Sequence, residues 1–219
     1  PKPVFDYYQQ WQKVLEAEPV QFTAFDGYEY LSTSRTALAK FIHVDDKDDL
    51  VYVTNPSFAV NIIAKAFPLE EGDEILATDI EYGACDRTWD YYCSQKKAVY
   101  KRQKISLPII TKEQFIADFF AGVTPKTKAI MPVHWGGRVA NMPEIMNIAR
   151  KHNLIVIEDA AQSMGAYFGN QHSGSFGHAA AYSAHPLKNL NALGDAGFMS
   201  TNDDEVAKRV RLYRTHGIE

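Results

Sequence analysis

Cysteine is scarce in this sequence: Cys85 and Cys93 are the only two among 219 residues. They stand eight positions apart, with no CxxC motif and no cluster of histidines, so we expect neither a disulfide framework nor a zinc site. The acidic run 45–49 has no calcium-loop spacing and is read as a solvated loop, so no metal site is predicted. We expect a reducing, cytoplasmic setting.

The sequence also has no large excess of one charge and no long apolar run. Its 23 basic and 27 acidic residues give a net charge of −4, which offers no electrostatic reason to bind nucleic acid or an anionic membrane. No apolar stretch reaches the roughly 18 residues of a membrane span, and no charged-then-apolar leader is visible. The 46% of hydrophobic residues suffices for one large domain or two small ones.

Short β-branched runs alternate with longer helical patterns, which predicts an α/β fold: three α/β/α layers around a mostly parallel seven-stranded sheet. The last two strands are joined by about a dozen residues without a helical pattern, so we expect the final strand to be antiparallel. The predicted strands are 50–53, 74–77, 98–100, 128–133, 154–157, 180–182 and 197–200, and the predicted helices are 35–42, 57–66, 84–94, 111–120 and 143–151.

In open α/β sheets a ligand binds beyond the carboxyl ends of the strands, so the loops there carry the candidate residues. Ser57 starts a helix, either as a plain N-cap or as a donor to an anion such as phosphate. Asp159 ends a hydrophobic strand, either as a helix N-cap or as counter-ion to a protonated heteroaromatic nitrogen. Gln162 could then donate to a ring oxygen.

A loop lysine, Lys188, follows another strand, and an aromatic, Tyr82, follows a third. Taken singly, a loop lysine is ordinarily solvated surface. Together with an acid for a ring nitrogen and donors for a phosphate, however, the amine and the aromatic ring form the set that pyridoxal phosphate requires. The amine can form a Schiff base where its surroundings keep part of it neutral.

From about residue 134 onward the sequence resembles the DegT-type sugar aminotransferases, which are fold-type I pyridoxal-phosphate enzymes. The matching runs are Val133-His134-Trp135-Gly136-Gly137, Ile157-Glu158-Asp159-Ala160-Ala161-Gln162-Ser163-Met164-Gly165-Ala166, Gly174-Ser175-Phe176-Gly177, Tyr182-Ser183-Ala184-His185-Pro186-Leu187-Lys188-Asn189-Leu190, Gly194-Asp195-Ala196-Gly197 and Arg214-Thr215-His216-Gly217.

From residue 3 to about residue 128 the sequence looks instead like the class V aminotransferases of the isopenicillin-N-epimerase type. Both families share one large-domain fold, so the mixture is physically coherent. The runs that carry this likeness are Tyr8-Gln9-Gln10-Trp11-Gln12, Glu18-Pro19-Val20-Gln21-Phe22, Arg35-Thr36-Ala37-Leu38-Ala39, Asn55-Pro56-Ser57-Phe58-Ala59-Val60-Asn61, Gly72-Asp73-Glu74-Ile75-Leu76 and Glu81-Tyr82-Gly83-Ala84-Cys85.

The resemblance implies a role for each candidate residue. Lys188 would form the Schiff base and move the α-proton, Asp159 would pair with the pyridinium nitrogen, and Gln162 would contact the ring hydroxyl oxygen. Tyr82 would lie on the ring face. His134 matches a position near the cofactor, although a purely structural histidine fits equally. The phosphate would be held by the hydroxyl groups of Ser57 and Ser183 and by the N–H groups of Phe58 and Ala59.

The resemblance also implies a transaminase that takes an amino group from a donor, glutamate in our expectation, and passes it to a keto acceptor such as a nucleotide-linked keto-sugar. A class V-type epimerase or C–S lyase/desulfurase, and a non-catalytic fold relative or fragment, remain as alternatives. Residues 1–34 are expected to form a helical arm and residues 35–219 the cofactor-binding large domain. We expect a homodimer, with the smaller carboxy-terminal domain of such enzymes absent from this chain.

Overall fold

The computed structural model describes residues 2–214, so the motif residues 215–217 lie outside the described part of the chain. The chain divides into two compact units, one ending at Leu50 and one beginning at Val51. The predicted arm of residues 1–34 falls within the first unit. Across residues 2–214, no helix combines the length and apolarity that crossing a membrane requires.

The first unit is helical, with α1 (Lys2–Ala17), a π-helical segment (Gln21–Asp26) and α2 (Gly27–Ile42). Trp11 lies at the centre of the aromatic packing in this unit. The centroid of its ring is 4.7 Å from that of Tyr30 and 5.9 Å from that of Phe22, and both pairs are edge-on. Aromatic pairs at such distances favour edge-on packing. A helix was predicted at 35–42 and a helical arm at 1–34; in the structure one helix, α2, begins at Gly27 and runs across that boundary to Ile42.

The second unit alternates strands and helices. Its sheet strands are β1 (Leu50–Val53), β2 (Glu74–Thr78), β3 (Val99–Gln103), β4 (Thr127–Ile130), β5 (Ile155–Asp159), β8 (Ala179–Ser183) and β9 (Gly197–Thr201), and a small hairpin is formed by β6 (Tyr167–Phe168) and β7 (Gln171–His172). Its helices are α3 (Pro56–Ala66), α4 (Gly83–Lys96), α5 (Lys112–Phe120), α6 (Met142–His152) and α7 (Asp204–Arg214).

The seven-stranded sheet runs in the order β1-β9-β8-β5-β4-β2-β3. Parallel pairing joins β3 to β2, β2 to β4, β4 to β5 and β5 to β8, whereas β9 pairs antiparallel with β8. The predicted α/β fold with a mixed seven-stranded sheet and an antiparallel final strand is therefore confirmed.

Helices cover both faces of this sheet because successive residues of a buried strand point to opposite sides. Ile157 of β5 belongs to the core that includes Ile63 of α3 and Trp89 of α4. Its neighbour Val156 packs in a second core with Met142 and Ala149 of α6. The sheet therefore lies between two layers of helices, as predicted, and the ends of its strands are available to form a site.

Candidate active site

The site is built on two adjacent parallel strands, β5 and β8. Asp159, the last residue of β5, pairs with Ala181, and the N–H of Ala160 donates to the Ala181 carbonyl at 2.9 Å. Ser183 lies two residues further along β8 and is buried. The carboxyl ends of the two strands therefore bring the predicted acid and one predicted phosphate hydroxyl to the same edge of the sheet.

Asp159 lies in surroundings that suit a carboxylate facing a cation. Burial raises the pKa of its carboxyl, while a hydrogen bond from the Ala161 N–H at 3.0 Å and the neighbouring His134 and Lys188 act to lower it. A largely buried carboxyl is costly unless a positive group meets it. Lys188 is the nearby cation, so the predicted acid and the predicted lysine lie at one end of the sheet.

The segment between β8 and β9 carries Lys188, and its backbone is fixed at several points. Within the turn the N–H of Lys188 donates to the His185 carbonyl at 2.8 Å, and at its base the N–H of Ala184 donates to the Ala196 carbonyl at 2.9 Å. The Asn189 amide donates to the Met164 carbonyl at 3.2 Å. Half-buried Lys188 is thus held beside the segment that follows β5.

Gln162 is oriented by the loop after β4. Its side-chain oxygen accepts the N–H of Gly136 at 2.9 Å, which leaves its NH₂ group as the donor. Gly136 and Gly137 both have positive φ, and a Cβ on Gly137 would come within 3.3 Å of the Gln162 carbonyl oxygen. The two glycines therefore permit the close approach that aims this amide, and its free NH₂ suits the predicted contact with a ring oxygen.

The N-terminus of α3 is capped by Asn55, and Ser57 is not its N-cap. The Asn55 side-chain oxygen accepts the N–H of Phe58 at 2.8 Å, and its carbonyl accepts the N–H of Ala59 at 3.1 Å. Two of the predicted phosphate donors are therefore engaged within the protein. Pro56 has no N–H, so the hydroxyl and N–H of Ser57, together with the helix dipole, are what this helix offers an anion.

Gly197 joins this helix start to the rest of the site. It pairs with Ser183 across β8 and β9. A Cβ there would lie 2.8 Å from the Asn55 carbonyl carbon, 2.8 Å from the Tyr182 carbonyl oxygen and 2.9 Å from the Pro56 nitrogen. Only glycine fits between these backbones, so the strand end that bears Ser183 and the helix start that bears Ser57 are neighbours.

His134 and Glu158 form a buried pair behind the site, with both side chains 0% exposed. The His134 Nε2 lies 2.8 Å from a Glu158 oxygen, and its Nδ1 accepts the N–H of Ala140 at 3.2 Å. Glu158 also accepts the N–H groups of Gly174, Phe176 and Gly177. Both ring nitrogens of His134 are thus bonded within the protein, which is the structural role that its sequence position left open.

Tyr82 precedes α4 and is 66% exposed. Its neighbour Glu81 lies close to Asp159, which the sequence analysis did not predict. Carboxylate oxygens of Glu81 and Asp159 and the sulfur of Cys85 all lie within 4.8 Å of one another. Glu81 precedes α4 and so shares no helix face with Cys85, and no local sequence signal placed its carboxylate beside Asp159.

A mixed α/β sheet of this order, with an acid and a serine at adjacent strand ends, a lysine in the segment that follows and a helix start beside them, is typical of the large domain of an aminotransferase. The comparisons with known proteins agree, because the DegT/DnrJ/EryC1/StrS aminotransferase family matches residues 21–219. The chain belongs to this family.

Three similar proteins illustrate the match. A pleiotropic regulatory protein of Geobacillus stearothermophilus is 35% identical over 98% of this chain and 57% of its own length. The UDP-N-acetyl-3-dehydro-alpha-D-glucosamine 3-aminotransferase of Acidithiobacillus ferrooxidans is 50% identical over 47% of this chain and 28% of its own. The structure of NtdA from Bacillus subtilis, with bound cofactor PMP, aligns with a TM-score of 0.66 at 26% identity, over 84% of this chain and 39% of that one.

Two consequences follow. The chain spans little more than half the length of the first relative and less of the other two. The class V likeness of residues 3–128 is not supported, because one family covers residues 21–219.

Proposed function

We propose that this chain forms the cofactor-binding part of a pyridoxal-phosphate-dependent aminotransferase that acts on a nucleotide-linked keto-sugar. The observation that carries the proposal is that β5 and β8 are adjacent parallel strands that end at Asp159 and Ser183, with Lys188 in the segment after β8 among the charges that act on Asp159. Family membership and the nucleotide-sugar substrate named for the Acidithiobacillus relative support the acceptor class. Glutamate as donor, a homodimer as the working form and a cytoplasmic setting belong to the same proposal.

The described residues fit the cofactor. Bound there, pyridoxal phosphate would supply an electron-withdrawing ring that stabilises negative charge on the substrate carbon. Asp159 would hold the proton on the ring nitrogen, and the Gln162 NH₂ would donate to the ring oxygen. The amine of Lys188 would take the proton from the donor's α-carbon.

Five further residues complete the assignment. The hydroxyl groups of Ser57 and Ser183 would donate to the phosphate, and the ring of Tyr82 would cover one face of the cofactor and exclude water. Phe58 and Ala59 would contribute through the dipole of α3 rather than through free N–H groups, since Asn55 already accepts both.

The desulfurase alternative needs a reactive thiol, and neither cysteine offers one. Both are buried. Burial raises the pKa of Cys93 to about 11, with help from Asp90, and burial with nearby carboxylates raises that of Cys85 further. A thiol with so high a pKa is a poor nucleophile.

The test begins with pyridoxal phosphate added to the wild-type chain, Lys188→Ala and Lys151→Ala. Wild type and Lys151→Ala should develop the absorbance band of the lysine-linked cofactor, and Lys188→Ala should not. Glutamate should then convert the band of wild type to the amine form of the cofactor. An identical spectrum for wild type and Lys188→Ala would reject the site, and exchange of the amino acid's α-hydrogen without conversion would indicate an epimerase.

A further inference from the structure

Three acidic groups from different elements meet at the end of β5. Glu81 lies in the turn between β2 and α4, Cys85 in the first turn of α4, and Asp159 at the end of β5. Their oxygen and sulfur atoms lie within 4.8 Å of one another, and Cys85 is 3% exposed. The roles assigned above use Asp159 but leave Glu81 without one.

Groups this close resist being ionised together, because each negative charge raises the pKa of the next group. We propose that Glu81 and Asp159 form a carboxyl pair that holds one negative charge between them, with Glu81 acting as the positioning residue that keeps the proton while Asp159 keeps the charge. The role of the pair, which is to present a single carboxylate to the ring nitrogen of the cofactor, rests on the proposed function. The existence of the pair does not.

The surroundings of the two carboxyl groups decide which one is ionised. Burial raises the pKa of the Asp159 carboxyl as well, but the N–H of Ala161 and the neighbouring His134 and Lys188 act against that effect and favour its charged form. Glu81 accepts the N–H of Tyr82 at 2.8 Å, but it faces the charges of Asp159 and Asp86. Burial, followed by those charges, raises the pKa of the Glu81 carboxyl to about 7.

None of the other titratable groups around Asp159 that the structure describes takes the place of Glu81 as the group that keeps the proton. Burial and the same carboxylates raise the pKa of the Cys85 thiol, so it stays neutral. Arg102 is engaged by Asp86 and Asp90. The titratable or charged groups around the pair are Cys85, Asp86 and Arg87 on α4, Tyr100 and Arg102 on β3, His134 after β4, and Lys188 after β8.

The experiment follows carboxyl titration by ¹³C NMR on cofactor-free protein labelled at the side-chain carboxyls of glutamate and aspartate. Wild type should show a glutamate step near pH 7 that is missing in Glu81→Gln. Asp159→Asn should lower that step by about one pH unit, because it removes a charge that opposes the ionisation of Glu81. Glu81→Gln should leave the Asp159 step in place, because Glu81 is still protonated when Asp159 ionises. Glu113→Gln, on exposed α5, should change neither step.

Two outcomes would overturn the pair: a Glu81 step near that of an ordinary glutamate, or a Glu81 step that Asp159→Asn leaves unchanged. The pH of the Glu81 step is measured on the wild-type protein, so this test can be made even if a variant folds poorly. Adding pyridoxal phosphate to the same samples separates the two proposals. If the cofactor fails to bind, the proposed function fails, while the titration still decides whether the carboxyl pair exists.

Discussion

Glu158 and Asp159 are adjacent acids on β5 that face opposite surroundings. Glu158 points into the protein, where His134 and three backbone N–H groups surround it. Asp159 points to the strand-end site and receives one N–H there. Because a strand turns successive side chains to opposite faces, a single Glu-Asp pair supplies one carboxylate that ties the structure together and another that is left for chemistry.

Replacing Glu158 should destabilise the fold strongly. Glu158→Gln keeps the size of the side chain but replaces one acceptor oxygen with a donor, so buried N–H groups lose their partner. We expect the free energy of unfolding to fall by about 3 kcal/mol, as for a broken buried ionic network. Urea unfolding measures this, with the exposed Glu144→Gln as control, expected to change by less than about 0.5 kcal/mol. Equal losses in the two variants would contradict the network's importance.

Glu81 should make stability depend on pH. Its pKa is raised from 4.5 to about 7 in the folded chain, so between these values the folded state holds a proton that the unfolded state has lost. The free energy of unfolding should therefore fall as pH rises through this window, by up to about 3 kcal/mol at about 1.4 kcal/mol per unit. Urea unfolding at both ends of the window, for wild type and Glu81→Gln, tests this: the variant should lose most of the slope, and an unchanged slope would contradict the prediction.

At the scale of single elements, the start of α3 contributes to the stability of the fold and forms part of the proposed phosphate site. Asn55→Ala removes the hydrogen bond to the Phe58 N–H and should cost about 1 kcal/mol. Thr111→Ala is the matched control, because Thr111 caps α5 in the same way, accepting the N–H of Gln114 at 3.1 Å. Both variants should lose similar stability by urea unfolding, yet only Asn55→Ala should weaken pyridoxal phosphate binding in a spectroscopic titration. Equal affinities would place the phosphate elsewhere.

The sequence was informative about the larger elements. All seven strands of the sheet were predicted, with the antiparallel β9, because buried strands are continuous β-branched or small-residue runs. The β6–β7 hairpin was not predicted, since two-residue strands such as Tyr167–Phe168 carry no period. Asn141 occupies the N-cap position of α6 but makes no side-chain capping bond.

The site was only partly predictable for a similar reason. Lys188, Asp159 and Ser183 could be placed because strand order brings carboxyl ends together. The closeness of Glu81 to Asp159 could not be predicted, because β4 separates β2 from β5 in the sheet. The contact depends on how far the turn after β2 extends past the end of β4. The occupied N–H groups of Phe58 and Ala59 were equally hidden, since only coordinates show that Asn55 accepts both.

For the molecule as a whole, cofactor binding should stabilise the second unit. A ligand that binds only the folded state adds about 2.7 kcal/mol at one hundred times its dissociation constant. Pyridoxal phosphate should therefore raise the melting temperature of wild type in a concentration-dependent way and leave Lys188→Ala nearly unchanged. Lys151→Ala, the matched lysine on α6, should follow wild type, and an equal rise in Lys188→Ala would show binding that does not need this lysine.

The antiparallel pairing of β9 with β8 has a further consequence. The two strands are neighbours along all five positions from Ala179 to Ser183, so both ends of the intervening segment are anchored in the same sheet. A protease that cut at exposed Leu187 would leave two fragments still paired strand to strand. The nicked protein should therefore migrate as two pieces only after denaturation, and the cut would release the chain on the amino-terminal side of Lys188 while the sheet persists.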